Sequence, residues 1–164
     1  MKERKMNNKG FSLVELIIVI AIMAILIVVL APQYLKYVEK SRNSTDVSNA
    51  TEMVTAMQVY AADPDVAAAD AFTGGKNFTI TVSSTGTVVD GDNQAAARKA
   101  FFAAGLSDSA TTDPATTCVS KTNWKEYVIT GKVATNGSIS FEYSASGGGD
   151  SNAFKNLMSG KSGS

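Results

Sequence analysis

Histidine is absent from the 164 residues, and cysteine occurs once, at Cys118. The first absence removes Ser-His-Asp and Cys-His nucleophile systems, most zinc sites and any histidine pH switch. The second excludes an internal disulfide or a CxxC pair. What chemistry remains belongs to carboxylates, Lys, Ser and Tyr. Asp90-Gly91-Asp92-Asn93 looks at first like the start of a calcium loop. It departs from the EF-hand pattern, with Ala95 at the glycine position and Phe101 at the acidic end, so a turn is the better reading. No catalytic residue, metal or cofactor is therefore expected, and the chain does not read as an enzyme. Fifteen Lys+Arg balance fifteen Asp+Glu, so DNA binding through a broad basic surface is not indicated.

The ionisable residue in the most unusual setting is Glu15. It directly precedes Leu16–Ala31, sixteen apolar residues without interruption. With Phe11 to Glu15 included, a helix here is roughly 32 Å long, about one bilayer core. A helix apolar on every side must lie in membrane or in protein, and the rest of the chain is too polar to wrap it. An ionisable group inside such a span costs about 2.5–3.5 kcal/mol at mid-helix, less near an end, and is a functional hypothesis by default. The plainer alternative is that Glu15 snorkels to the head groups.

Three readings compete for this segment. Lys2, Arg4, Lys5 and Lys9 with Val29-Leu30-Ala31 suggest a secretory signal peptide. The long apolar run and Pro32 just past the cut weigh against it. A plain anchor helix explains the hydrophobicity but not Glu15. The third reading takes the stretch Lys9-Gly10-Phe11-Ser12-Leu13-Val14-Glu15-Leu16 together. It resembles the type IV pilin family and its pseudopilin relatives: a basic leader ending in Gly, then Phe-[Ser/Thr]-Leu-x-Glu, then about sixteen apolar residues. Pro32 and Tyr34 also stand where many family members carry Pro and Tyr. The close resemblance covers about residues 9–60.

The resemblance implies that a prepilin peptidase/methyltransferase cuts after Gly10 and N-methylates Phe11. Loss of the leader removes four bases and one acid, leaving eleven basic and fourteen acidic residues. It further implies that Glu15 pairs with the Phe11 amine of a neighbouring subunit. At 4 Å and an effective dielectric near 20 the attraction is about 4 kcal/mol before desolvation. Pro32 removes a helix hydrogen bond and is expected to kink the spine. Family filaments often melt near this proline, but the Gly many relatives carry in the apolar run is missing here. Ala21, Ala24 and Ala31 suit close helix approach, and Tyr34 and Tyr37 suit an aromatic belt at the interface. The implied function is a structural subunit of a retractable surface filament serving adhesion or motility. Implied partners are other copies of the chain, the inner-membrane assembly platform with its motor ATPases, and membrane lipid before assembly. The implied location is single-pass in the cytoplasmic membrane, then the cell-surface pilus. A pseudopilin of a secretion or competence apparatus is the nearest alternative, and a membrane-anchored binding domain or enzyme the more distant one.

These residues need elements to position them. Val47, Ala50, Val54, Met57 and Ala61 recur at threes and fours, one apolar face of a helix that Asp63-Pro64 ends. Glu39, Lys40, Arg42, Asp46 and Glu52 are expected mostly on the other faces. Phe78, Ile80 and Val82 alternate with polar residues, as do Tyr127, Ile129 and Val133 and then Ile139, Phe141 and Tyr143, so each set predicts a half-buried strand. A second strand is expected near Thr87–Val89, and a helix over Gln94–Ala104 capped by Asp92 or Asn93 and ended by Gly105. Asn136-Gly137 signals a type I′ hairpin. The expected class is α+β, a long helical spine over about 11–62 packed on a small antiparallel sheet. The expected domains are a leader (1–10), an apolar helix (11–31), an amphipathic helix (32–62), a head (63–146) and a flexible Gly/Ser-rich tail (147–164) with a short helix at Asn152–Met158. Trp124 is expected as packing and Cys118 as a free thiol. Many family members close a C-terminal loop with a disulfide; with one cysteine, something else must pin the tail.

Overall fold

The computed structural model describes residues 12–160. Gly10 and Phe11, the expected processing residues, lie outside them. The first element, α1 (Leu13–Ala62), is a 50-residue helix that runs through Pro32. Two compact units meet within it, between Val38 and Glu39.

In the first unit every Leu, Ile, Val and Met from Leu13 to Leu30 is 50 to 74% exposed. This half of α1 is long and apolar enough to cross a membrane, with a mean hydropathy of 3.4 over its most apolar window. β-branched residues make an indifferent helix in water. Without water to bond to, the helix is the form that satisfies every backbone group of one isolated segment. Pro32 carries no N–H, so the Val28 carbonyl lacks its usual partner.

The second unit holds the remainder of α1, then β1 (Asn77–Ser83), β2 (Gly86–Asp90), α2 (Gln94–Ala103), β3 (Glu126–Val133), β4 (Ile139–Ser146) and α3 (Ser151–Met158). The strands form one sheet in the order β2-β1-β3-β4, antiparallel throughout, with Ile80 opposite both Val89 and Ile129 and Ile129 opposite Tyr143. Period-2 alternation sends Phe78, Ile80, Val82, Val89, Tyr127, Ile129 and Val133 to one face. There they share a core with Ala50, Met53, Val54 and Met57 of α1 and with Ala97, Ala100 and Phe101 of α2. This is the α+β layout the pattern predicts. Gly131 is the flat spot on that face. The Phe78 ring covers it so closely that a Cβ there would stand 2.1 Å from the ring.

Three local expectations are corrected. Asn93 stands at the N-cap of α2 but makes no capping bond. Its side chain instead accepts from the Thr73 N–H at 2.8 Å and donates to the Thr73 and Lys76 carbonyls, so it holds the 73–76 loop rather than the helix end. The β3–β4 connection is a hairpin, but not through a type I′ turn. Only Gly137 has positive φ (+83°), and its N–H donates to Ala134 while Ala134 donates to Ser138. That is a longer loop with its left-handed residue at glycine. The tail, expected to be flexible around a short helix at Asn152–Met158, forms that helix as α3 but is docked on the head. Asp150 accepts from the Ala153 N–H at 3.0 Å and so caps it. Phe154 is fully buried, with ring centroids 4.6 Å from Tyr127 and 5.4 Å from Trp124. Ala153 and Met158 pack beside it against the same core, and the aromatic pocket around Phe154 supplies the largest buried contact of this short helix.

Gly148 lets the tail reach that pocket. A Cβ at this position would sit 2.3 Å from the Asn123 carbonyl carbon and oxygen. Gly148→Ala is expected to displace residues 147–150, lower the thermal midpoint and expose residues 151–158 to protease. An unchanged midpoint and cleavage pattern would show that the tail docks without this approach.

Candidate functional site

Glu15 lies in the first turn of α1. Its Oε2 accepts from the Ser12 N–H at 2.9 Å. This is the reach-back half of a capping box, in which the residue three places into a helix satisfies an N–H that has no helical partner. Its negative charge also suits the positive end of the helix dipole. The signal was present as Ser12-Leu13-Val14-Glu15 before an apolar run. Both Glu15 and Pro32 are exposed. They stand seventeen residues apart on one helix, about 26 Å, so they are separate features and not one site.

A second site was not read from the sequence. Asp46, placed there among the outward charges, is fully buried. Its Oδ1 accepts from the Val119 N–H at 2.8 Å. Its Oδ2 accepts from the Ser120 N–H at 3.0 Å, the Trp124 indole Nε1–H at 2.9 Å and the Cys118 thiol at 3.4 Å. Two helical turns earlier, Glu39 is also buried. Its Oε1 accepts from the Ser120 hydroxyl at 2.6 Å and from the N–H groups of Lys121 and Thr122 at 2.8 Å and Asn123 at 3.3 Å. Its Oε2 lies 3.5 Å from Arg42. Two carboxylates on one helix face thus clasp the strandless loop 118–124 by its backbone donors. The i, i+7 spacing of Glu39 and Asp46 was the available signal, since it puts both on the stripe that carries Ala50 and Met53.

The far side of that loop is tied to the tail. Lys125 donates to Ser146, Gly149 to Thr122 and Asp150 to Asn123, at 2.8 to 3.0 Å. Loop 118–125 therefore links α1 to the residues that lead into α3. These bonds and the Phe154 pocket pin the C-terminal region in place of a disulfide. Trp124 packs as expected and adds a hydrogen bond. Cys118 is a free, buried thiol, pushed up to about 12 by burial and then by the adjacent Asp46 carboxylate. At that value it is inert as a nucleophile. The Tyr127 phenol is also pushed up, mainly by burial and then by Asp46 and Cys118.

Burial pushes the Glu39 carboxyl up, but hydrogen bonds from the Ser120 hydroxyl and from the Thr122, Lys121 and Asn123 amides outweigh it. The group is held at about 2 against an ordinary 4.5. A carboxyl lowered by folding stabilises the fold in full above its unfolded value. Stability is expected to fall as pH drops from 4.5 toward 2, and Glu39→Gln should flatten that part of the profile. Identical acid unfolding curves for the two proteins would remove this assignment.

Among the described residues no group of three or more His, Cys, Asp or Glu is placed to hold a metal. The described residues form an exposed apolar half-helix with a capping Glu at its start, and an α+β head with its own core on the other half. That combination is a pilin-like α+β layout. Residues 5–31 match the family described as the prokaryotic N-terminal methylation motif. The chain is similar to the type IV major fimbrial protein FimA of Dichelobacter nodosus, 41% identical over 59 residues, which is 36% of this chain and 38% of FimA. It is also similar to the type IV major pilin protein PilA of Myxococcus xanthus, 34% identical over 59 residues, 36% of this chain and 27% of PilA. The matches thus span well under half the length of these relatives. No solved structure matches the chain. The likeness to type IV pilins is therefore carried by the N-terminal segment of the chain.

Proposed function

We propose that the chain is the precursor of a type IV pilus subunit. The observation that carries the reading is the apolar half of α1, whose large side chains from Leu13 to Leu30 are all at least half exposed. Two environments can cover such a helix, a bilayer and a bundle of other copies, and a pilin uses them in turn. In this reading the leader is cut after Gly10 and Phe11 is N-methylated by a prepilin peptidase. The subunit waits in the cytoplasmic membrane through its apolar helix, then joins a surface filament in which these helices bury one another. Glu15 exchanges its Ser12 N–H for the Phe11 amine of a neighbour, so a subunit docks only in the register that neutralises its charge. The proline at position 32 is the place where the helix yields as copies pack. Platform and motor proteins drive addition and removal, and no catalysis by this chain is required.

Mass spectrometry of sheared surface filaments tests the reading. An N-terminal peptide beginning at methylated Phe11 should dominate the sheared fraction. Its confinement to the membrane fraction would make the chain a pseudopilin or minor subunit, and retention of residues 1–10 would end the pilin reading.

A further inference from the structure

The hairpin between β3 and β4 holds a reactive pair that neither the spine nor the clasp uses. Asn136 is followed by glycine, and no other asparagine in the sequence is. Residues 134–138 are all exposed. Gly137 has φ +83°, and a Cβ there would meet nothing within 4 Å. The backbone nitrogen after Asn136 therefore has no side chain and no packed neighbour among the described residues to keep it from the Asn136 amide carbon. That carbon is also polarised. Asn136 Oδ1 accepts from the Ser138 N–H at 3.1 Å and from the Ser138 hydroxyl at 2.8 Å. A backbone N–H can only donate, so the side-chain atom facing it is the oxygen and not the nitrogen. Two donors on a carbonyl oxygen stabilise the negative charge that grows there under nucleophilic attack, the logic of an oxyanion hole. One bond opposes the reaction. The Gly137 N–H donates to Ala134 at 2.9 Å and must be released first, which costs little at an exposed loop tip. The other described asparagines are placed differently. Asn43 and Asn49 lie in α1, Asn77 in β1, and Asn152 and Asn156 in α3, where secondary structure fixes the backbone. Asn93 spends its side chain on residues 73–76, and Asn123 is tied through its backbone to Glu39 and Asp150.

We propose that Asn136 is a self-modifying site, converted through a cyclic imide with Gly137 to aspartate and isoaspartate. The Gly137 nitrogen bonds to Asn136 Cγ and gives up its proton to solvent base. The Cγ–Nδ2 bond breaks, and Nδ2 takes a proton from water and leaves as ammonia. Water then opens the ring, at the side-chain carbonyl to give aspartate or at the backbone carbonyl to give isoaspartate. One water is consumed and one ammonia released, with no change of oxidation state. Either product puts a negative charge at this tip. Gly137, Ser138 and Ile139 line a depression with Gln58, Ala61 and Ala62 at the end of α1. That helix end is negative by its dipole and has no basic residue in its last turn. Conversion would thus weaken the seat of the hairpin on the end of the spine, and it would accumulate with the age of a folded chain.

The test follows the full chain in detergent by peptide mass spectrometry over days at mildly alkaline pH, folded and in guanidinium chloride. Replacement of the amide by a carboxyl is read at each asparagine, and Asn136→Asp supplies the chromatographic standard that separates aspartate from isoaspartate. In the folded chain Asn136 should convert at least about tenfold faster than any other described asparagine, and faster than it does unfolded. Ser138→Ala removes one of the two polarising donors at an exposed position. It should slow the folded rate about threefold or more and leave the unfolded rate unchanged. A rate at Asn136 lower in the folded chain than in the unfolded one would overturn the proposal, because the Ala134 bond would then protect the site. An unchanged folded rate in Ser138→Ala would equally overturn it, since the Ser138 contacts would then be incidental.

Discussion

Glu15→Ala is expected to leave leader cleavage and methylation intact while removing the protein from sheared filaments. The physical ground is the attraction between a carboxylate and an amine near 4 Å, about 4 kcal/mol at an effective dielectric of 20, partly offset by desolvation. Even half of that changes a docking equilibrium by more than tenfold at each added subunit. The structure supplies a competing explanation that must be separated, because Glu15 also caps α1 through the Ser12 N–H. Loss of a cap costs about 0.5–2 kcal/mol and would shorten the helix at its first turn. Glu15→Gln decides between them. A glutamine can make the same reach-back bond but carries no charge. If charge pairing governs docking, the Gln variant assembles as poorly as the Ala variant. If Gln restores filaments, Glu15 acts as a cap and the pairing role is withdrawn.

Asp46→Ala is expected to lower the stability of the head by about 3–5 kcal/mol, the usual consequence of removing one partner from a buried, charge-assisted network. The carboxylate is fully buried and receives the Val119, Ser120 and Trp124 donors. Its loss leaves these three N–H groups without their acceptor. Trp124 is the only tryptophan, and it reports directly on this network. Urea unfolding followed by its fluorescence should show the midpoint reduced by about 2 M, given slopes of about 1–3 kcal/mol per M for small domains. Asp46→Asn should lie close to the Ala variant, since an amide offers one acceptor oxygen and turns two donors toward donors. Asp65→Ala, at an exposed loop position, should change stability by no more than about 0.5 kcal/mol. A midpoint for Asp46→Ala within the range of Asp65→Ala would show that loop 118–124 holds itself. The same variant should loosen the tail, because Thr122 and Asn123 accept the Gly149 and Asp150 amides.

Much of this protein is legible in its sequence because the informative residues are neighbours. The N-terminal methylation motif, the apolar run and its end at Pro32 are local patterns, and a signature of this kind needs no contacts to be read. The strands are legible for a related reason. Phe78, Ile80 and Val82, and Tyr127, Ile129 and Val133, repeat with the period of the backbone itself. The clasp obeys no such rule. Asp46 meets Trp124 across 78 positions, and Glu39 meets Lys121 across 82. A charged residue on an amphipathic helix is read as outward because desolvation is costly, and at these two positions the cost is offset by donors that come from a distant loop. Asn93 and the tail follow the same logic. Asn93 looks like a cap until residues 73–76 arrive to claim its side chain, and Gly147-Gly148-Gly149 looks like slack until the Asn123 carbonyl leaves no room for a side chain at Gly148. The sequence by itself determined the membrane-length helix, its capping glutamate and the alternation of the sheet, because local periodicity and short-range sterics settle them. Only the tertiary structure decided where the buried charges lie and what anchors the C-terminal region, because a polar group's place depends on which partners the rest of the chain brings to it.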